Sequence, residues 1–141
     1  ESKILWDSTA HLVYIAKKYG GDEWFPPDPL EIAEIMQWMS FAQNEVQFGL
    51  QWARGVTIYG RRPESFAGYT ADGKLALEVL EKQLSLTGNW LALGRVTLAD
   101  ISCYPYVKRA PEGNIALGPY PSVSKWLERC ESLPGWIVMD P

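Results

Sequence analysis

"RVTLADISCYPYVKRAPEG", Arg95 to Gly113, is the stretch whose reading decides the fold. Thr97 is placed as a helix N-cap, and Asp100 stands at the third helical position. At that spacing each side chain can accept from the other's backbone N–H, an aspartate version of the capping box. Val96 and Ile101 are spaced as the hydrophobic staple across it. This assigns Thr97 and Asp100 a structural role. Pro105 falls inside the helix, where the missing N–H removes a hydrogen bond and bends the axis. Pro111-Glu112-Gly113 stops it.

Working outward, the helical pattern continues on both sides. Downstream, a helix opens near Tyr120-Pro121, with Val123, Trp126, Leu127, Cys130 and Leu133 on one face. Pro134-Gly135 turns the chain, and the tail "WIVMDP" is expected to lie back on the bundle. Upstream, Leu77, Leu80 and Leu84 predict a helix from about Thr70 to Leu86, with Gly73 weakening its first turn and Gly88 ending it. "ESFAGY", Glu64 to Tyr69, carries no clear pattern. Before it, Asp28 as cap, Pro29 at the first helical position and Glu31 open a long helix, Leu30 to about Arg54. Its apolar residues occupy more than one face, which predicts packing on two sides, against its own core and against another subunit. A first helix, about Thr9 to Tyr19, has a broad apolar stripe and ends at Gly20-Gly21. The segment "DEWFPPDP" between these two helices reads as a linker.

No period-2 alternation appears beyond the first few residues, so the predicted class is all-α. The chain has 141 residues, is 47% hydrophobic and carries seven Trp and seven Tyr, enough for a packed core without disulfide staples. Its net charge of −4 argues against a nucleic-acid partner. No apolar run reaches the ~18 residues of a membrane span. Cys103 and Cys130 lack metal-ligand spacing and read as two free thiols of a reducing compartment, which predicts a cytoplasmic protein. No metal site is expected.

Local motifs offer no catalytic machinery. His11, the sole histidine, has no partner for a nucleophilic triad. Asp7-Ser8 leaves two readings open. Both residues are favoured helix caps. Yet a helix N-terminus also attracts a carboxylate, and a nearby carboxylate side chain can hold an ammonium. Together they suit the end group of an α-amino acid.

Taken in order, "ILWDSTAHLVYIAKKYGG", "WFPPDP", the Trp-rich long helix, "NWLALGRVTLADISCYPYV", "APEG" and "PYPSVSKWLERCESLPGW" resemble bacterial glutathione S-transferases over about Ile4 to Met139. The resemblance implies an all-α C-terminal helical bundle with a short remnant of a thioredoxin-like α/β domain at its N-terminus. Residues 1–21 would be the last strand and helix of that domain, 22–28 the linker and 29–141 the bundle. Asp7 and Ser8 match the motif that holds the γ-glutamyl end of glutathione, and Glu45 is similar in place to an acidic residue reaching glutathione in the neighbouring subunit of a homodimer. Phe48, Trp52, Tyr104 and Tyr106 are the expected walls of an apolar pocket for a small electrophile, with ordinary core packing as their other reading. Gln47 and Phe48 stand where some bacterial members present basic or polar groups, and His11 where the family has an aliphatic residue. The activating Ser, Tyr or Cys is expected in a segment upstream of this chain, so that the chain alone is inactive while its parent conjugates glutathione. The alternative is a non-catalytic relative serving as a protein-interaction module.

Overall fold

A computed structural model describes residues 3–139, and every regular element among them is helical. Residues 1–2 and 140–141, the outer ends of the expected remnant and bundle, lie outside the described residues. The strand expected at the start does not form within the described part: residues 3–7 have no regular structure. A strand needs a neighbour to accept its ladder of hydrogen bonds, and no described residue supplies one.

α1 spans Ser8–Ile15 and widens into a π-helical turn, Ala16–Gly20. The long helix predicted from Leu30 is one continuous rod in three segments: α2 (Pro29–Phe41), a π-helical middle (Ala42–Gln51) and α3 (Trp52–Tyr59). Its start is the one read from sequence, since Asp28 accepts from the N–H groups of Leu30 and Glu31 at 2.9 and 3.1 Å. α4 covers Phe66–Thr87, so the unread "ESFAGY" is a short 3₁₀ turn, Pro63–Ser65, running straight into the helix.

Gly73 is therefore interior to α4, and its role is packing. A Cβ on Gly49 would come within 2.4 Å of the Gly73 nitrogen, so the rod and α4 cross backbone to backbone. α5 spans Leu98–Lys108 and runs past Pro105; a 3₁₀ turn, Ala110–Gly113, follows, and α6 spans Pro121–Glu131. Ile35, Met39, Leu50, Leu77, Leu80, Val107, Val123 and Trp126 form the fully buried centre. The tail folds back as expected, with Trp136 edge-on to Tyr104 at 4.7 Å between centroids.

The capping box forms. The Asp100 Oδ2 accepts from the Thr97 N–H at 3.0 Å, and the Thr97 hydroxyl accepts from Ala99 N–H at 3.2 Å. Asp100 also reaches beyond its own helix: Oδ1 accepts from Leu91 N–H at 3.1 Å and from the Trp126 indole at 2.9 Å. One carboxylate thus ties the loop before α5, the start of α5 and the middle of α6 together.

Candidate functional site

Asp7 is itself the cap of α1. Its backbone is extended (φ −106°, ψ 136°), and its Oδ1 accepts from Ala10 N–H at 3.1 Å. That bond leaves Oδ2 without a partner among the described residues. Ser8 is the first helical residue and is exposed, so its hydroxyl faces outward beside the opening N–H groups of the helix. His11 donates from Nε2 to the Leu5 carbonyl at 2.7 Å, which pins the approach to Asp7 against α1. The histidine thus stabilises the turn that sets Asp7 and Ser8.

These two residues border a cleft of about 750 Å³ between α1, the rod and α5. Gln43, Gln47 and Gln51 of the π-helical stretch form the second wall, with Ser102, Pro105 and Tyr106 of α5 as the third. A π-helical ladder turns wider than an α-helix, so residues four apart lie nearer one line. The result is a row of amides facing Asp7-Ser8. The Ser102 hydroxyl is buried and has no protein partner. Among the described residues Asp7 is the only acid in the lining, and no Lys or Arg enters it. One carboxylate oxygen, a hydroxyl, a helix N-terminus and amides can receive both the ammonium and the carboxylate of an amino-acid end group.

The residues read from sequence as pocket walls do not share one cavity. Tyr106 lines the main cleft and an adjoining pocket, where Trp52 also stands. Tyr104 is a core residue, 2% exposed, wedged against Trp126 and Trp136 with its hydroxyl donating to Glu131 at 2.7 Å. It faces the bundle because it lies on the same side of α5 as Cys103 and Val107, both buried. Phe48 is 53% exposed on another face of the rod, beside Glu45, Leu75 and Val79. Neither Phe48 nor Glu45 touches the cleft of Asp7 and Ser8.

Gln43, Gln51 and Ser102 are wall residues that reading the sequence did not single out. The glutamines carried a signal: with Gln47 they stand four apart along the long helix. Ser102 carried no such signal, since its place depends on how α5 lies against the rod.

Cys103 and Cys130 are free and buried, and burial pushes both thiols up, Cys130 to about 12. Neither is a nucleophile at neutral pH. Among the described residues no His, Cys, Asp and Glu cluster could hold a metal, and no helix is long and apolar enough to cross a membrane.

Comparison with known proteins agrees with this architecture. The family described as "Glutathione S-transferase, C-terminal domain" matches residues 71–134. Glutathione S-transferase 1 of Manduca sexta is 30% identical over 138 residues, 92% of this chain and 60% of the relative. A probable maleylacetoacetate isomerase of Caenorhabditis elegans is 25% identical over 146 residues, 100% of this chain and 67% of the relative. Among solved structures, a glutathione S-transferase from Xanthobacter autotrophicus Py2 superposes with a TM-score of 0.86 at 30% identity, over 97% of this chain and 67% of its own. The chain thus spans 60% and 67% of the lengths of these two curated relatives. On these matches, to which its capped α5 and the cleft beside α1 conform, the chain belongs to the glutathione S-transferase family.

Proposed function

We propose that the whole protein is a glutathione transferase, joining the glutathione thiolate to a small electrophile. Asp7 and Ser8 hold the γ-glutamyl end, and the cleft they border receives the rest. The observation that supports this reading most is the placement of these two residues at a cleft of about 750 Å³ with both polar and apolar walls, with one Asp7 oxygen still unengaged. The ammonium of the γ-glutamyl group pairs with that oxygen; its carboxylate takes the Ser8 hydroxyl and the helix N–H groups.

We assign activation of the thiol to a donor outside residues 1–141. Lowering a thiol pKa needs a positive field or a hydrogen-bond donor aimed at sulfur; the described lining of the cleft carries no Lys or Arg, and in this reading its hydroxyls, Ser8, Ser102 and Tyr106, bind rather than activate. In this reading residues 1–21 complete a thioredoxin-like domain, 22–28 link it and 29–141 form the helical domain. The chain by itself does not turn over. Two free thiols suit a reducing compartment, the cytoplasm.

The exposed apolar face of Phe48, Leu75 and Val79 suits a two-fold homodimer. Glu45 on the same face would then be carried toward the neighbouring subunit.

Asp7→Asn tests the glutathione site without removing the cap, because an amide oxygen still accepts from Ala10 N–H. Losing a charge-assisted hydrogen bond is worth about 1.5–3 kcal/mol, or roughly ten- to a hundred-fold in affinity. Calorimetry on the whole protein should show that loss with the thermal midpoint unchanged. An Asp7→Asn protein that binds glutathione as tightly as the parent would leave Asp7-Ser8 as a cap alone. The interaction-module reading would then stand.

A further inference from the structure

The pocket adjoining the main cleft has a different chemistry from it. It measures about 270 Å³ and is lined by Gln51, Trp52, Arg54, Gly55, Tyr59, Arg61 and Tyr106, so that Gln51 and Tyr106 belong to both cavities. Four of the chain's six arginines, Arg54, Arg61, Arg62 and Arg109, fall on the segments around it. A single carboxylate, Glu112, pairs with both Arg54 and Arg109. Arg61 and Arg62 pair with no carboxylate among the described residues. Arg61 lies over the Tyr59 ring at 5.1 Å and Arg62 over the Trp52 ring at 5.1 Å. Glu64, the nearest acid in sequence, is exposed and pairs with neither. In a chain of net charge −4, this end of the rod holds an uncompensated positive charge.

Three further observations point to a ligand. The Trp52 indole N–H is buried and has no partner, a donor without an acceptor at the pocket wall. Arg62 adopts a left-handed backbone (φ 49°, ψ 56°) immediately before Pro63, a conformation disfavoured for a non-glycine residue and again before proline. Such strain is held at sites where a side chain must be aimed, and here it accompanies a guanidinium lying over Trp52. Gly55 sits in the interior of α3, where glycine is a poor helix former, and yet a Cβ there would meet nothing within 4 Å. No packing neighbour requires glycine at this position; a side chain would occupy the pocket.

We propose that this pocket recognises the carboxylate of an aromatic organic anion, and that the second substrate of the protein is an arene bearing such a group. The ring lies along Tyr106, where the two cavities meet, and reaches toward Trp52 in the smaller pocket, and the carboxylate takes the arginines and the Trp52 N–H. The assignment as second substrate rests on the glutathione-transferase reading; recognition of the anion does not.

Binding of 3,5-dinitrobenzoate and of its neutral isostere 3,5-dinitrobenzamide, followed by tryptophan quenching at low salt without glutathione, tests it. The expected result is benzoate at least tenfold tighter than benzamide. The preference should disappear in the Arg61→Gln/Arg62→Gln double variant, whose changes are on exposed residues. Gly55→Leu should weaken both ligands, and Trp52→Phe should reduce the quench. Equal affinity for the two ligands, or a preference that survives loss of both arginines, overturns the proposal. Because glutathione is absent from the assay, its failure to bind elsewhere would remove the transferase reading and leave this result intact.

Discussion

Asp100 is fully buried, and both its oxygens are engaged by N–H donors from three places in the chain. Burial pushes its pKa up, and the bonds from Trp126, Leu91 and Thr97 pull it part of the way back. With a folded pKa above the unfolded one, this residue favours the native state at low pH and loses that contribution as pH rises through its folded value. A plain helix cap is worth about 0.5–2 kcal/mol, the loss expected for Thr97→Ala. Asp100→Ala costs more, because it strands three buried donors at about 1–3 kcal/mol each. Urea midpoints should place Asp100→Ala at least 2 kcal/mol below Thr97→Ala on that accounting. Equal midpoints would show that Asp100 is only half of a capping box.

At the scale of elements, two glycines in one rod serve opposite purposes. Gly49 lets the rod meet α4 at the backbone, where a Cβ would lie 2.5 Å from the Gly73 Cα. Backbone cannot move aside as a side-chain tip can, so Gly49→Ala should cost the upper end of about 1–3 kcal/mol. Gly73→Ala meets chiefly the side-chain ends of Ile115 and Leu50, with the Gly49 backbone farther off at 3.3 Å, and should cost less. Gly55→Ala should instead stabilise the protein by about 0.5–1 kcal/mol, since it improves the helix and meets no atom. Thermal midpoints of the three variants check the ordering. A destabilised Gly55→Ala would mean that the open space over α3 is not open.

At the scale of the molecule, three glutamates join distant elements, and all three are held below their usual pKa. For Glu81, desolvation is outweighed by the N–H groups of Val123 and Ser122 and by Lys125. Glu112 is likewise desolvated but lowered by Arg54 and Arg109, and Glu131 is lowered first by Lys108. A depressed carboxylate pKa gives stability that is present above the unfolded value of 4.5 and lost as pH falls through the folded one. Asp100, held above its usual range by burial, opposes this trend, and the glutamates are proposed to dominate because each also joins two separate elements. Stability should therefore be flat from pH 7 to about 5 and fall below the ordinary carboxylate range. Glu81→Gln should lose stability at pH 7 and show a shallower acid decline than the parent. A parallel pH profile would remove Glu81 from the account.

The sequence alone determined the helices and most of their ends, because caps, prolines and apolar spacing act within a few residues. The box at Thr97 and Asp100, the Asp28-Pro29 start and the helical tract on either side of them were legible for that reason. Tertiary structure decided whatever joins residues far apart. α6 has no capping side chain of its own at Tyr120; its first N–H groups are taken by Glu81, at 2.9 Å from Ser122 and from Val123, across from α4. Tyr104 went into the core while Tyr106, two residues on, reached the cleft, because burial follows which side of α5 meets the bundle. Asp7 and Ser8 were readable as a cap or a binding pair. Only the packing of α1 against the rod and α5 set the three glutamines and Ser102 opposite them, since no local rule carries the relative placement of three helices.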